Sequence, residues 1–148
     1  MLFQCNKKGA GLIPPQRISL NITKKCNLRC KHCLSSSGQP NQNELTTKDL
    51  FKLINQMRNA GSFFITIGGG EPLLRDDLFQ VIEYAGKNLI AVSIVTNGLL
   101  INKEIAQKLN ALNLDTITVS IDGLEKNHDK IRGKGNFRKT INKIKILR

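Results

Sequence analysis

Apolar residues along this 148-residue chain switch repeatedly between a spacing of two and a spacing of three to four. Ile18, Leu20 and Ile22 take every second position of Ile18–Thr23, as in a strand with one buried face. Thr46 and Asp49 then form a capping-box-like start, and Leu50, Leu53, Ile54 and Met57 form the stripe of a helix that stops at Gly61. Phe63–Ile67 predicts a second strand. Leu78, Val81, Ile82 and Ala85 predict a second helix ending at Gly86, and Ile90–Thr96 a third strand. Asn102 can cap a third helix carrying Ile105, Leu109 and Leu112. Thr116–Ile121 predicts a fourth strand with Ile117, Val119 and Ile121 on one face. A fourth helix is expected from Asn136, using Phe137, Ile141, Ile144 and Leu147.

Strands alternating with helices predict an α/β fold with parallel strands joined by helical crossovers. Residues 1–16 read as an N-terminal arm, residues 17–148 as one core domain, and the segment between Leu34 and Asn43 as a loop. The last helical pattern reaches Arg148 without a Gly or Pro stop signal, which predicts a core that breaks off early.

Composition narrows the setting. A hydrophobic fraction of 40% suits a globular domain. The sequence has no signal-peptide pattern and no apolar run near the roughly 18 residues of a membrane span, so the expectation is a cytoplasmic protein without a membrane partner. A net charge of +12 suits an anionic partner. The basic residues are scattered, denser at Lys24, Lys25, Arg29 and Lys31 and towards the C-terminus, and no aromatic residues interleave with them as a base-stacking platform requires. Nucleic acid is therefore not the expected partner.

Four cysteines in a reducing compartment argue against a disulfide framework. Three of them, Cys26, Cys30 and Cys33, crowd into eight residues after the first strand, a spacing for metal or redox use; Cys5 stands apart and reads as a free thiol. Three thiolates leave one iron of a four-iron cube without a protein ligand, open to a small molecule. A structural zinc site using His32 or Cys5 as a fourth ligand is the rival reading, although adjacent His32 and Cys33 converge poorly on one ion.

The other polar motifs also follow strands: Gly68-Gly69-Gly70-Glu71-Pro72 after the second, Thr96-Asn97-Gly98 after the third, and Ser120-Ile121-Asp122-Gly123 after the fourth. In parallel sheets and barrels that edge is where sites assemble. Glycines let backbone approach a ligand closely, and Glu71 adds a carboxylate, a combination suited to an ammonium-bearing ligand. A tight strand-to-helix turn is the plainer account of the same residues.

The CxxxCxxC loop followed by GGGEP resembles the radical S-adenosylmethionine (SAM) superfamily, over roughly Ile18 to the end of the chain. That resemblance implies a partial parallel (β/α) barrel, with about four of six β/α units present. It implies a 4Fe-4S cluster on Cys26, Cys30 and Cys33, whose open iron chelates SAM. Gly68, Gly69, Gly70 and Glu71 would bind the SAM ammonium; Thr96 and Ser120 would contact its ribose or methionine part, and Arg132 would face its carboxylate. The implied chemistry is reductive cleavage of SAM to a 5′-deoxyadenosyl radical that abstracts hydrogen from a substrate; no catalytic acid or base stands out. Cys33–Gly38, Phe63–Ile67 and Ser120–Gly133 look especially like the peptide-modifying and cofactor-maturing branch, mycofactocin-maturase-like enzymes included.

The implied partners are a precursor peptide or small-molecule substrate, an acidic electron donor such as ferredoxin or flavodoxin, and a second chain completing the barrel. His32 stands where that family usually has an aromatic. Because the barrel breaks off, the chain is expected to be either a radical SAM enzyme, or its N-terminal part, or an inactive remnant that retains the iron-sulfur site. An RNA-modifying member is the further alternative.

Overall fold

The computed structural model describes residues 15–147. Residue Cys5 and most of the expected N-terminal arm lie outside them. Four strands, β1 (Arg17–Thr23), β2 (Phe64–Gly69), β3 (Ala91–Thr96) and β4 (Leu114–Val119), form one parallel sheet in the order β1-β2-β3-β4. Each crossover carries a helix: α1 (Thr47–Asn59), α2 (Leu78–Lys87) and α3 (Lys103–Ala111). After β4 come α4 (Glu125–Arg132) and α5 (Asn136–Ile144). The result is an α/β fold with one parallel sheet, as the strand-helix alternation predicts, and its β/α units follow the partial barrel that the resemblance implies.

The core lies between the sheet and its helices. Ile22, Ile65, Ile67, Val92 and Ile94 meet Leu50, Ile54 and Met57 of α1, Leu78, Val81, Ile82 and Ala85 of α2, and Leu109 of α3. Burying each of the larger aliphatic side chains among these contributes about 1.5–3 kcal/mol. On the opposite face Ser19, Asn21 and Thr118 of the two edge strands are exposed, whereas Phe64 and Ser93 of the central strands are buried.

Local sequence explains the element ends. The Thr46–Asp49 capping box is formed in both directions, and the chain leaves α1 through Gly61 at φ +88°. Helix α2 runs one residue past Gly86, to Lys87. There the Asn88 side chain donates to the Tyr84 carbonyl at 2.8 Å, and Leu89 turns the chain at φ +59°.

Two expectations shift. The fourth strand is Leu114–Val119 instead of Thr116–Ile121, because its register against β3 slips between Val92 and Ser93. That slip lets Leu114 and Ile117, three residues apart, both pack on the core, and it leaves Ile121 outside the sheet and exposed. Helix α4 has no apolar stripe to predict it, since its sequence is almost wholly polar; buried His128 anchors it, lying edge-on to Phe137 of α5 at 5.6 Å.

Candidate functional site

The parallel strands end together, and their connecting loops meet at one edge. The loop leaving β1 is held there by backbone pairing: Cys26 N–H donates to Gly38 O at 3.0 Å and Gly38 N–H to Lys24 O at 2.7 Å. The Glu44 carboxylate braces the same loop, accepting from the Thr23 hydroxyl and from the N–H groups of Lys24 and Asn41. Lys31 N–H reaches the Ile131 carbonyl of α4 at 3.0 Å. A loop of about twenty residues is thus tied to the sheet and to α4.

The glycine turn after β2 serves that same loop. Gly70 N–H donates to Thr23 O at 2.7 Å and Glu71 N–H to Lys25 O at 2.8 Å. A Cβ on Gly69, which sits at φ +114°, would lie 2.5 Å from Thr23 O, and one on Gly70 would lie 2.3 Å from Lys25 O. Side chains there are excluded by neighbouring backbone. Gly68 is different, with its nearest neighbour 3.7 Å away.

Glu71 points inward and is 0% exposed. Its Oε1 accepts from Leu73 N–H at 3.1 Å and from the Thr96 hydroxyl at 2.8 Å, and Oε2 accepts from Asn97 N–H at 2.8 Å. The Thr96 hydroxyl in turn accepts from Gly98 N–H at 3.0 Å. Burial pushes the Glu71 carboxyl above the ordinary carboxylate range, and the three donors oppose that rise. The carboxylate therefore joins the turn after β2 to the turn after β3.

A cavity of about 250 Å³ opens at this edge. Cys26, Cys30 and Cys33 line it together with Gly69, Gly70, Thr96, Asn97, Ser120 and Arg132. Gly68 and Glu71 stand behind its wall. Ser120 N–H donates to Thr96 O at 2.9 Å, which sets those two residues side by side.

The thiols are not equivalent. Cys33 Sγ accepts Ser37 N–H at 3.3 Å, which lowers its pKa, whereas burial raises that of Cys30 against the pull of the Arg132 charge. Cys26 Sγ accepts Leu28 N–H at 3.5 Å. Asp122 holds the Arg132 guanidinium through Nε, and His32 Nε2 lies 3.5 Å from Asp122 Oδ1. The Arg132 hydrogen bond keeps the Asp122 carboxyl well below its usual range.

Three thiols spread around a cavity suit a polynuclear group that spans them. Among the described residues no set of three or more His, Cys, Asp or Glu is placed to hold a single metal ion, and His32 faces Asp122. Donor N–H groups on two of the sulfurs and the Arg132 cation suit thiolate ligation, so the residues fit an iron-sulfur cluster.

A sequence model of the radical SAM superfamily matches residues 20–148. The chain belongs to the radical SAM superfamily. It is 36% identical over 138 residues to the mycofactocin maturase MftC of Mycolicibacterium smegmatis, covering 93% of this chain and 35% of that protein. It is 38% identical over 138 residues to the AdoMet-dependent heme synthase of Methanosarcina barkeri, covering 90% of this chain and 39% of that one. The chain thus spans little more than a third of the length of these curated relatives. Among solved structures, Streptococcus suis SuiB bound to S-adenosylmethionine superposes with a TM-score of 0.75 at 24% identity, over 90% of this chain and 31% of SuiB. SuiB bound to the precursor peptide SuiA superposes at 0.73 with 22% identity, over 91% and 31%. These two likenesses speak for the fold.

Asn97, Asp122 and Arg75 also belong to the site, although the sequence pattern assigns none of them a role there. Arg75 donates to Ile22 O at 2.7 Å and Leu45 O at 3.1 Å and pairs with Asp77 at 2.6 Å, bracing both ends of the cysteine-bearing loop. The available signal was place: Asn97 and Asp122 follow strand ends as closely as the residues that were singled out.

Proposed function

We propose that the cavity holds a 4Fe-4S cluster on Cys26, Cys30 and Cys33 with SAM beside it, and that the chain is the cofactor-binding part of a radical SAM enzyme. The observation carrying this is the convergence of three thiols from one loop, the glycine turn, Thr96, Ser120 and Arg132 on one cavity wall. When bound, such a cluster supplies the electron that cleaves SAM and so generates a radical able to abstract hydrogen.

The chain's own residues would bind and orient. Arg132, steadied by Asp122, offers a fixed positive charge to a carboxylate. Gly70 N–H is engaged by Thr23 O, so the side-chain-free turn offers carbonyl oxygen to an ammonium. Ser120 places a polar group for the rest of the nucleotide beside Thr96, which lines the same wall while its hydroxyl is held by Glu71. Glu71 acts from behind the wall by fixing the two turns together. Gly68 spaces β2 from Asn21.

For substrate, we favour a ribosomally made precursor peptide over a small molecule. The support is the likeness to a mycofactocin maturase and to SuiB, which has been captured with its precursor peptide. Exposed Lys24, Lys25, Arg29 and Lys31 on the cysteine-bearing loop suit an acidic electron donor, and among the described residues β4 has a free edge for a further strand from elsewhere in a longer protein or from a second chain. Among the described residues no helix is long and apolar enough to cross a membrane, in keeping with a cytoplasmic setting.

The test is anaerobic reconstitution with iron and sulfide, then SAM and dithionite. Formation of 5′-deoxyadenosine is the expected result. Cluster and SAM binding without that product would instead identify a binding remnant, and uptake of zinc in preference to iron would defeat the proposal.

A further inference from the structure

Asn97 follows β3, is only 6% exposed, and forms part of the cavity wall. Its side-chain oxygen accepts Leu99 N–H at 3.0 Å, which fixes the orientation of the amide and leaves Nδ2 as the donor end. One of the two N–H bonds goes to Asn27 Oδ1 at 2.7 Å, and the other is directed at Cys26 Sγ, 4.0 Å away. The backbone is held on both sides as well, its N–H by Glu71 Oε2 at 2.8 Å and its carbonyl by the Thr140 hydroxyl at 3.3 Å. The Asn97 amide cannot rotate away from the sulfur without breaking its bonds to Leu99 N–H and Asn27 Oδ1.

We propose that Asn97 is a positioning residue that directs a donor N–H onto the Cys26 thiolate and thereby raises the reduction potential of the cluster held there. It rests on the reading of the cavity as a cluster site. A neutral thiol attracts an N–H weakly, whereas a metal-bound thiolate carries negative charge, so the 4.0 Å contact tightens once the sulfur is ligated. Reduction adds a negative charge that spreads onto the sulfurs. A donor aimed at one of them stabilises the reduced state more than the oxidised one, and the potential rises. Cys26 also receives Leu28 N–H at 3.5 Å and Cys33 receives Ser37 N–H at 3.3 Å, while among the described hydrogen bonds Cys30 Sγ accepts none. The ligand set is therefore polarised unevenly, and Asn97 adds a side-chain donor at Cys26.

The test is an EPR-monitored redox titration of the reconstituted chain as wild type, Asn97→Ala, Asn97→Asp and Asn27→Ala. The expected result is a lower midpoint potential in both Asn97 variants, lowest in Asn97→Asp, with Asn27→Ala close to wild type. Wild-type midpoints in both Asn97 variants would overturn the proposal. So would an equal fall in Asn27→Ala, which would mean that Asn97 acts only as a peg for the loop. Should the Asn97 variants fail to retain a cluster, pulsed EPR decides on wild-type protein labelled with ¹⁵N at the asparagine side chain. A ¹⁵N coupling to the reduced cluster is then expected, and its absence overturns the proposal. A wild-type chain that loads no cluster defeats the cavity reading itself, an outcome distinct from a loaded cluster indifferent to Asn97.

Discussion

Gly70 lies so close to Lys25 that a Cβ on the glycine would meet the lysine carbonyl oxygen at 2.3 Å. The glycine turn is thus a seat for the cysteine-bearing loop as much as a wall of the cavity. Gly70→Ala is expected to lower stability by about 1–3 kcal/mol, as overpacking does. Gly68→Ala, with 3.7 Å of clearance, is expected to be neutral or slightly stabilising. Urea unfolding of the two variants side by side checks the contrast.

Glu71 accepts donors at both of its oxygens inside the fold. In Glu71→Gln an amide N–H₂ must face at least one of those donors, which leaves a buried group unsatisfied and costs about 1–3 kcal/mol. The same variant is expected to bind SAM more weakly, because the turns after β2 and β3 lose their link. Thermal unfolding and SAM titration read the two effects separately.

Asp77 is held below the ordinary carboxylate range by its hydrogen bonds to Arg75, with a further bond from Thr47. A depressed folded-state pKa gives stability that is complete above the unfolded value of about 3.9 and is lost as pH falls through the folded one. Asp77→Asn is therefore expected to be less stable than wild type at neutral pH and to show a shallower loss below about pH 4. Urea midpoints measured from pH 7 down to the acid limb supply the comparison.

Asp122 orients Arg132 and also faces His32 between the second and third cysteines. Asp122→Asn removes the charge that fixes the guanidinium, and SAM affinity is expected to fall about tenfold or more. Iron content is expected to stay near wild type, since all three thiols remain. Equilibrium binding of SAM to reconstituted protein, alongside iron analysis, distinguishes a lost orienting contact from a lost cluster.

Much of the fold was legible because it is written in local periodicity. Ile18, Leu20 and Ile22 pointed to β1, and the stripes Leu50–Met57 and Leu78–Ala85 marked the faces that α1 and α2 bury. What escaped depends on partners remote in sequence. Helix α4 carries no apolar stripe and is decided by His128 against Phe137 and by Lys31 meeting Ile131. The end of β4 is set by a register slip against β3, which no pattern within β4 reveals.

The site divides in the same way. The spacing of Cys26, Cys30 and Cys33 and the glycine run were visible directly, and they led to a cavity that the three thiols do share. The supporting bonds were hidden, since Asn97 to Asn27 spans 70 residues and Arg75 to Ile22 spans 53. In sequence Asn97 reads as an ordinary turn residue beside Gly98, and only the packed loops give its amide a thiol to face.

The most direct measurement is the EPR spectrum of the anaerobically reconstituted, dithionite-reduced chain, recorded before and after SAM is added. A 4Fe-4S signal whose shape changes on SAM addition, and which is absent when Cys26, Cys30 and Cys33 are replaced by alanine, is the predicted result. A signal that SAM leaves unaltered, or a protein that takes up no cluster, would contradict the account.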